Sequence, residues 1–171
     1  MTYRTSSNPK EDNLLILMDG HALIHRSFHA IQQPLTIGNT GEDVRGVYGF
    51  VNAFLRTLNE WKPSHIAITF DLPAPTFRHE MFSDYKAHRP PTPPELRTQF
   101  DRVREIMKSF QVPIYELEGF EADDLLGTLS AQAEESGIDT LILTGDSDTL
   151  QLVSSKIKVL MSSSFQKKSL Y

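Results

Sequence analysis

The sequence contains no cysteine among its 171 residues. This absence excludes a disulfide framework and a thiolate-bound metal, and it suits a reducing cytosol. Long apolar runs are also missing, because none approaches the roughly 18 residues that a membrane span needs. Residues 1–13 are polar and lack the apolar core of a signal peptide. We therefore expect residues 1–13 to form a disordered tail, followed by one globular domain or part of one.

The motifs of several common enzyme classes are missing as well. The chain has no glycine-rich dinucleotide fingerprint, no phosphate-cradling loop and no serine elbow. Its six histidines show no His-Glu-x-x-His pattern, which argues against a zinc site. Residues 146–148 resemble the start of a calcium loop, but Gln151 stands where that loop needs glycine, and the closing glutamate is missing. Any metal site must therefore use another arrangement of oxygen ligands.

Acidic residues follow four apolar, strand-like runs at residues 14–18, 66–70, 112–117 and 140–143. The carboxyl ends of parallel strands line one crevice, so these acids are expected to converge. Two carboxylates 4 Å apart repel by about 4 kcal/mol at an effective dielectric constant near 20, and such clusters either take up protons or hold cations. The pattern predicts a divalent-metal site for phosphate chemistry, with seven candidate ligands: Asp19, Asp71, Glu121, Asp123, Asp124, Asp146 and Asp148.

Each acidic signal also has a simpler interpretation. Asp19 can cap the turn that follows it, and Glu121, Asp123 and Asp124 occupy a first helical turn, where acids are common. Taken singly, each is better explained as a cap than as a ligand. Helix capping does not require an acid at four strand ends out of four, so the recurrence favours a metal site.

Helical patterns alternate with the strands. Apolar spacing predicts a helix over residues 43–61, Pro93 and Pro94 open a second over 95–110, and a third runs from the acidic cluster to near Gly137. Strands alternating with helices of this length imply an α/β fold, with a mostly parallel sheet and helices on both faces.

One long connection, residues 76–94, interrupts this rhythm. It combines basic and aromatic side chains, and such a segment is either a solvated loop or a contact for phosphate or single-stranded nucleic acid. The net charge of −5 argues weakly against a nucleic-acid ligand, but seven of the 22 acids belong to the proposed metal site. Residues 77–108 carry seven basic side chains: Arg78, Lys86, Arg89, Arg97, Arg102, Arg104 and Lys108.

Seven motifs, in order, closely resemble the 5′ nuclease family, which includes the N-terminal nuclease domain of bacterial DNA polymerase I, flap endonucleases and phage 5′ exonucleases. The motifs are LMDGHALIHRSFH at 17–29, GVYGF at 46–50, FD at 70–71, FRHE at 77–80, YKAHRPPTP at 85–93, GFEADDL at 119–125 and LTGDSD at 143–148. The resemblance covers residues 14–171 and implies a PIN-like (resolvase-like) sheet with a basic helical arch.

The resemblance also implies roles for individual residues. Asp19, Asp71, Glu121 and Asp123 match ligands of a first Mg²⁺ or Mn²⁺, with Asp124 beside them, while Asp146 and Asp148 match residues of a second site. Asp19 and Asp71 thereby count as catalytic, and so do Lys86 and Arg89, with Arg78 as a further candidate. The implied substrate is DNA with 5′ flaps, nicks or gaps. It would be contacted by Arg26, His25, Arg78, Tyr85, Lys86 and Arg89.

Three departures from the family pattern qualify these expectations. His25 stands where tyrosine is common, and Ser147 replaces a basic residue. The sequence also ends at Tyr171, before the helix-hairpin-helix DNA anchor and the later aspartates of the second metal site. We therefore expect a portion of a nuclease domain that binds one divalent ion better than two and is weakly active or inactive alone, with any polymerase domain beyond residue 171.

Three alternatives stay open at this point: a stand-alone bacterial flap endonuclease, another PIN-type nuclease such as a ribonuclease toxin, and a non-catalytic module that holds DNA for a partner. The family resemblance further implies a monomer in the bacterial cytoplasm, associated with the nucleoid and not with a membrane.

Overall fold

A computed structural model describes residues 13–162 and 168–171. The tail expected at residues 1–13 lies outside the described residues, apart from Asn13, whose backbone carbonyl accepts a hydrogen bond from Asp139 N at 3.2 Å. Within the described ranges, no helix is long and apolar enough to cross a membrane.

Six strands form one sheet in the order β3-β2-β1-β4-β5-β6. The neighbouring pairs are parallel from β3 to β5, and β6 runs antiparallel to β5. The strands are β1 Leu14–Asp19, β2 His65–Thr69, β3 Ile114–Tyr115, β4 Asp139–Thr144, β5 Ile157–Ser162 and β6 Lys168–Leu170. The helices are α1 Gly20–Ala30, α2 Arg45–Trp61, α3 Phe77–Met81, α4 Pro94–Ser109 and α5 Ala122–Glu135, with a 3-10 helix at Ser147–Leu152.

Successive side chains of β1 point to opposite faces of the sheet, and helices cover both faces. Ile16 and Met18 point into the larger core cluster, which α1, α2 and α4 complete. Leu17, between them, points into a smaller cluster on the other face, against Leu126 of α5. Successive side chains of a strand face opposite sides, so a continuous apolar run can bury both of its faces. The expected α/β architecture is confirmed.

The expected strand at 112–117 is wrong in length, because only Ile114–Tyr115 pair with β2. Val112 is buried, but its N–H bonds to Met107 O at the end of α4, so it continues the helix terminus. Pro113 has no N–H for a ladder, and Leu117 is exposed in the following loop. The segment at 76–94 is likewise not all loop, because it contains the five-residue helix α3.

Helix α2 begins at Arg45 instead of Asp43, and its first turn is capped from another helix. Its own N-cap residue makes no side-chain cap bond. Gln99 of α4 supplies the acceptor instead, since its Oε1 receives Gly46 N at 2.7 Å and Val47 N at 3.1 Å. A Cβ at Gly46 would lie 2.7 Å from that same oxygen, so the close approach requires glycine. This cap fixes α2 against α4 on the face that carries α1.

Candidate functional site

The candidate site lies where the strand order reverses, between the carboxyl ends of β1 and β4. From β1 the chain proceeds outward through β2 and β3, whereas β4 and β5 lie on the other side. In an open parallel sheet, this switch point is the crevice in which ligands bind. A cleft of about 520 Å³ opens here, and six of the seven predicted acids line it: Asp19, Asp71, Glu121, Asp123, Asp146 and Asp148.

Asp19, the last residue of β1, is the most buried acid of the cleft, with 3% of its surface exposed. Its Oδ1 accepts a hydrogen bond from Ala22 N at 2.9 Å and thereby caps α1. Its Oδ2 accepts a hydrogen bond from Thr144 Oγ1 at 2.7 Å. Burial raises the pKa of Asp19 from 3.8 to about 6, although both hydrogen bonds work against the rise. Asp19 therefore caps α1 and also belongs to the acidic cluster of the cleft.

Asp71 follows β2 and is held by the start of α5. Its Oδ1 accepts a hydrogen bond from Ala122 N at 2.6 Å, which uses one of the free N–H groups of the helix end. His21 Nδ1 approaches Asp71 Oδ2 at 3.5 Å from the side of α1, and burial lowers the pKa of His21. Asp71 is thus placed by contacts from two helices.

The three acids at 121–124 make different contacts at the start of α5. Glu121 and Asp124 form a capping box, in which Asp124 Oδ2 accepts Glu121 N at 2.9 Å. Asp123, between them, faces the other acids. Burial and the charges of Asp19, Asp146 and Asp71 together raise the pKa of Asp123 to about 7. Asp123 lines the same cleft as Asp19, Asp71 and Asp146, and their negative charges act on one another there.

Asp146 and Asp148 belong to the turn after β4. Asp146 N donates to Thr144 Oγ1 at 3.0 Å, and Asp146 Oδ1 accepts Asp148 N at 3.0 Å, which caps the 3-10 helix. Asp148 is exposed at the mouth of the cleft. Thr144 therefore contacts two of the acids, Asp19 and Asp146. Sequence reasoning missed it, because threonine is common at strand ends and carries no metal-ligand signal.

The basic segment at 76–92 lies against the acids of α5. Lys86 Nζ donates to Glu121 Oε1 at 2.7 Å, and Tyr85 Oη donates to Glu121 Oε2 at 3.0 Å. Arg78 forms a bidentate pair with Asp124, with both N···O distances at 2.7 Å. That pair holds the pKa of Asp124 below its usual value. Lys86 adopts a left-handed backbone with φ of 57°, which costs energy for a residue with a Cβ.

The other predicted nucleic-acid contacts are divided between two places. His25 and Arg89 line the acidic cleft beside Tyr85 and Lys86, and burial lowers the pKa of His25. Arg26, in contrast, donates from Nη1 to Gly145 O at 3.1 Å and supports the turn between β4 and the 3-10 helix. A Cβ at position 145 would lie 3.2 Å from Arg26 Cδ, so Gly145 packs tightly against the Arg26 side chain.

The donor atoms and the charge of the cleft decide whether its residues fit a divalent cation. Carboxylate oxygens are the ligands that Mg²⁺ and Mn²⁺ prefer, and the pKa of Asp123 is raised first by burial and then by the negative charges of the neighbouring acids. The carboxylate donors and the negative charge of the cleft therefore suit a divalent cation. Among the described residues, however, no group of three or more acids or histidines is arranged to hold a metal ion as it stands. Glu121 and Asp124 are engaged by Lys86, Tyr85 and Arg78, so coordination requires side-chain movement.

A mostly parallel sheet of this order, with carboxylates at the switch point and a basic segment facing them, is typical of the resolvase-like or PIN-like class of α/β proteins. Within that class the chain belongs to the 5′–3′ exonuclease family, since the family model for the N-terminal resolvase-like domain of 5′–3′ exonucleases matches residues 14–171. This confirms the family expected from the sequence motifs.

Relatives and solved structures agree with this assignment. DNA polymerase I of Chloroflexus aurantiacus is 43% identical over 152 residues, which are 89% of this chain and 16% of that protein. DNA polymerase I of Bacillus subtilis is 40% identical over 149 residues, which are 87% of this chain and 17% of that protein. The chain therefore spans about a sixth of the length of these curated relatives.

Two solved structures are similar in fold. A T5 protein co-crystallised with metal ions has a TM-score of 0.68 at 18% identity, over 92% of this chain and 57% of that chain. A bacteriophage T5 flap endonuclease, in a complex with DNA and metal ions, has a TM-score of 0.65 at 17% identity, over 92% and 57% of the two chains. The comparison supports the PIN-like fold of this chain.

Proposed function

We propose that this chain is the metal-dependent part of a 5′–3′ exonuclease and 5′-flap endonuclease that hydrolyses DNA phosphodiesters near nicks and flaps in replication and repair. One observation carries the proposal: a single cleft collects six acids and is bordered by Lys86, Arg89 and Tyr85. Acids of this kind bind cations, whereas the basic border suits a phosphate backbone.

In this proposal, Asp19, Asp71, Glu121 and Asp123 hold a first Mg²⁺ or Mn²⁺, and Asp146 and Asp148 contribute to a second. When bound, two such cations lower the pKa of water and neutralise charge on the phosphate. Asp124 stays beside the first site, because Arg78 binds both of its carboxylate oxygens.

The chain's own residues supply position and charge. The Thr144 hydroxyl holds the carboxylate of Asp19, and the Ala122 N–H holds the carboxylate of Asp71. In this proposal Lys86 and Arg89 bind the scissile phosphate and stabilise the charge that develops on it. For Lys86 this requires exchange of its 2.7 Å contact with Glu121 for a contact with phosphate. Tyr85 and His25 are placed to stack on an unpaired base, as aromatic side chains do in single-strand sites.

The similarity to bacterial DNA polymerase I supports a wider context for the domain. We place it at the start of a polymerase-containing protein, acting as a monomer on chromosomal DNA in the bacterial cytoplasm. The similarity to a DNA polymerase I and to a flap endonuclease in a complex with DNA supports DNA as the ligand class and continuity with a polymerase domain.

Mn²⁺ uptake and flap cleavage, measured on the same samples, test the proposal. Asp71→Ala and Asp123→Ala are expected to reduce Mn²⁺ uptake in calorimetric titrations and to abolish cleavage of a 5′-labelled flap duplex. Asp139→Ala, an exposed acid at the far end of β4, should preserve both. Lys86→Ala should keep metal uptake but lower the cleavage rate by about 100-fold, the effect of removing one donor to developing charge.

Each alternative gives a different result. Mn²⁺ uptake that is unchanged by both aspartate substitutions contradicts the proposal. Tight binding of flap DNA without uptake of Mn²⁺ favours a non-catalytic module. Faster cleavage of structured RNA than of flap DNA favours another PIN-type nuclease.

A further inference from the structure

His21, in the first turn of α1, carries a buried polar atom to which the proposed function assigns no role. The side chain lines the acidic cleft, yet its Nδ1 is shielded from solvent and has no hydrogen-bond partner within residues 13–162 and 168–171. Buried polar atoms of native proteins are rarely left without a partner. An unpartnered nitrogen at the edge of a functional cleft therefore indicates a contact that forms during function.

The Asp71 carboxylate faces this nitrogen. Asp71 Oδ2 lies 3.5 Å from His21 Nδ1, just beyond the roughly 2.7–3.2 Å of an N–H···O hydrogen bond. The other oxygen, Oδ1, already accepts Ala122 N at 2.6 Å. A small closure of the gap to His21 would thus give each oxygen of Asp71 one donor and prevent the carboxylate from rotating.

Phe100 of α4 fixes the plane of the His21 ring. The two rings are stacked, with centroids 4.5 Å apart and planes inclined by 27°. Phe100 is itself buried, so the stack limits rotation of the imidazole. Burial lowers the pKa of His21, and a carboxylate beside a neutral imidazole favours the tautomer that has its proton on the nearer nitrogen. Nδ1 is then a donor directed at Asp71.

We propose that His21 is a positioning residue, which holds Oδ2 of Asp71 in the orientation that a divalent cation requires. A carboxylate oxygen has two lone pairs, so it can accept this N–H and still bind a cation. Side chains that orient a metal-binding carboxylate in this way raise metal affinity about 10–100-fold. His21 acts through Asp71 and needs no contact with the cation or with DNA. The inference rests on the proposed function, because it takes Asp71 as a metal ligand.

Two substitutions separate the donor from the ring. His21→Phe keeps a ring that can stack on Phe100 but has no N–H. His21→Asn lacks the ring but places an amide N–H at the atom that corresponds to Nδ1. Calorimetric titration of the DNA-free chain with Mn²⁺ should show about 10-fold weaker binding for His21→Phe, and binding close to that of the wild type for His21→Asn.

His29→Phe is the matched control, since it makes the same substitution at an exposed position in the last turn of α1. It should bind Mn²⁺ as the wild type does. Urea denaturation of all three variants verifies that they are folded at the temperature of the titration.

Flap cleavage supplies a second measurement. His21→Phe should need a higher Mn²⁺ concentration for its half-maximal rate, with an unchanged KM for flap DNA, because the lost contact belongs to the cation site. A raised KM without a change in Mn²⁺ binding would place His21 against the substrate and overturn the inference.

The order of the two His21 variants decides between a donor and a packing role. Weaker Mn²⁺ binding by His21→Asn than by His21→Phe would mean that the stack on Phe100 is what matters, and equal losses in both would also contradict the inference. Uptake that both variants retain in full refutes the inference alone. A wild-type chain that takes up no Mn²⁺ refutes the proposed function, and the inference with it.

Discussion

Thr144 Oγ1 lies 2.7 Å from Asp19 Oδ2 and donates a hydrogen bond to it across the carboxyl ends of two adjacent strands. The same hydroxyl accepts Asp146 N at 3.0 Å, so its proton is directed to Asp19. One neutral side chain thereby fixes the distance between the acid that ends β1 and the turn that follows β4. The site depends on this residue, although it is not itself acidic.

Thr144→Val is expected to destabilise the protein and to perturb Asp19. The substitution keeps the shape of the side chain but leaves a buried carboxylate oxygen and the Asp146 N–H without a partner, at a cost of about 1–3 kcal/mol. Since the hydrogen bond stabilises the charged form of Asp19, its loss should raise the pKa of Asp19 above the present value of about 6. Urea denaturation and a carboxyl NMR titration measure the two effects.

Thr140→Val is the matched control on the same strand. Thr140 is equally buried, but its Oγ1 has no hydrogen-bond partner within the described part of the chain. Its replacement should leave stability and the Asp19 titration nearly unchanged. Equal losses in the two variants would mean that burial of threonine, and not the contact with Asp19, is what matters.

In the presence of a chelator, the contribution of Asp19 and Asp123 to stability should fall as the pH rises from about 4 to about 7, whereas the lowered pKa values of His21 and His25 act in the opposite direction below 6.5. Asp19 and Asp123 have folded-state pKa values of about 6 and about 7, against an ordinary value of 3.8. Between these limits the two carboxyls bind more protons in the folded state than in the unfolded state, so their contribution to the free energy of unfolding decreases with pH. Their contribution is most favourable below pH 4 and is lost as the pH passes the folded pKa values.

Asp123→Asn isolates this effect. It removes one of the acids that are costly to ionise, so the variant should become more stable than the wild type above pH 7, by about 2 kcal/mol after allowance for partial exposure. Added Mn²⁺ should reduce the difference, because only the wild type gains a full ligand set. Asp139→Asn, on the exposed end of β4, should follow the wild-type pH profile. A pH-independent difference between Asp123→Asn and wild type would falsify the assignment.

The central strands and the acids that follow them could be predicted because β1 and β4 are buried on both faces. Residues 14–18 and 141–143 are apolar without interruption, and parallel strands place their carboxyl ends together. Strands β5 and β6 were not predicted, since the segment 157–162 carries a lysine and a serine and its strand geometry is supported by pairing with β4 on one side and β6 on the other. Strands of this kind depend on their neighbours more than on their own sequence.

Pairings inside the site were beyond sequence reasoning for a different physical reason. The way in which the segment 76–92 folds back over α5 determines two contacts, that of Lys86 with Glu121 and that of Arg78 with Asp124. The contacts span 35 and 46 residues of chain, and no local periodicity records them. The sequence motifs nevertheless predicted a role in the site for each of these four residues.

The cap that Gln99 provides for α2 should contribute strongly to stability. Gln99→Leu leaves the buried N–H groups of Gly46 and Val47 without an acceptor, which should cost about 2–3 kcal/mol. Gly46→Ala should also destabilise the fold, because its Cβ would lie 2.7 Å from Gln99 Oε1. Both variants break the same cap, so the double variant should lose less than the sum of the two.

Thr98→Ala provides the control for that series. Thr98 is the exposed neighbour of Gln99 on α4, and its removal should change the free energy of unfolding by no more than about 0.5 kcal/mol. Denaturation by urea measures all four variants under one condition. Strict additivity of Gly46→Ala and Gln99→Leu would show that the two residues stabilise the protein independently.

The effects of substituting Arg78 and Asp124 on the free energy of unfolding are expected to be coupled. Their two N···O distances of 2.7 Å define a bidentate pair, which is stronger and more specific than a single contact. Because the pair is partly exposed, a double-mutant cycle with Arg78→Gln and Asp124→Asn should give a coupling energy of about 1 kcal/mol. The exposed pair of Arg102 and Glu42, at 3.1 Å, should give a smaller coupling.

The same cycle decides whether Arg78 acts on substrate. If its main role is to hold the start of α5, Asp124→Asn and Arg78→Gln should lower flap cleavage to the same extent, and the double variant should be no worse than either. If Arg78 also binds phosphate, Arg78→Gln should lower cleavage further than Asp124→Asn and should weaken DNA binding in a salt-dependent manner. The bidentate geometry favours the first outcome, since Asp124 compensates the charge of the guanidinium and Glu121 Oε2 lies a further 3.7 Å from its Nη1.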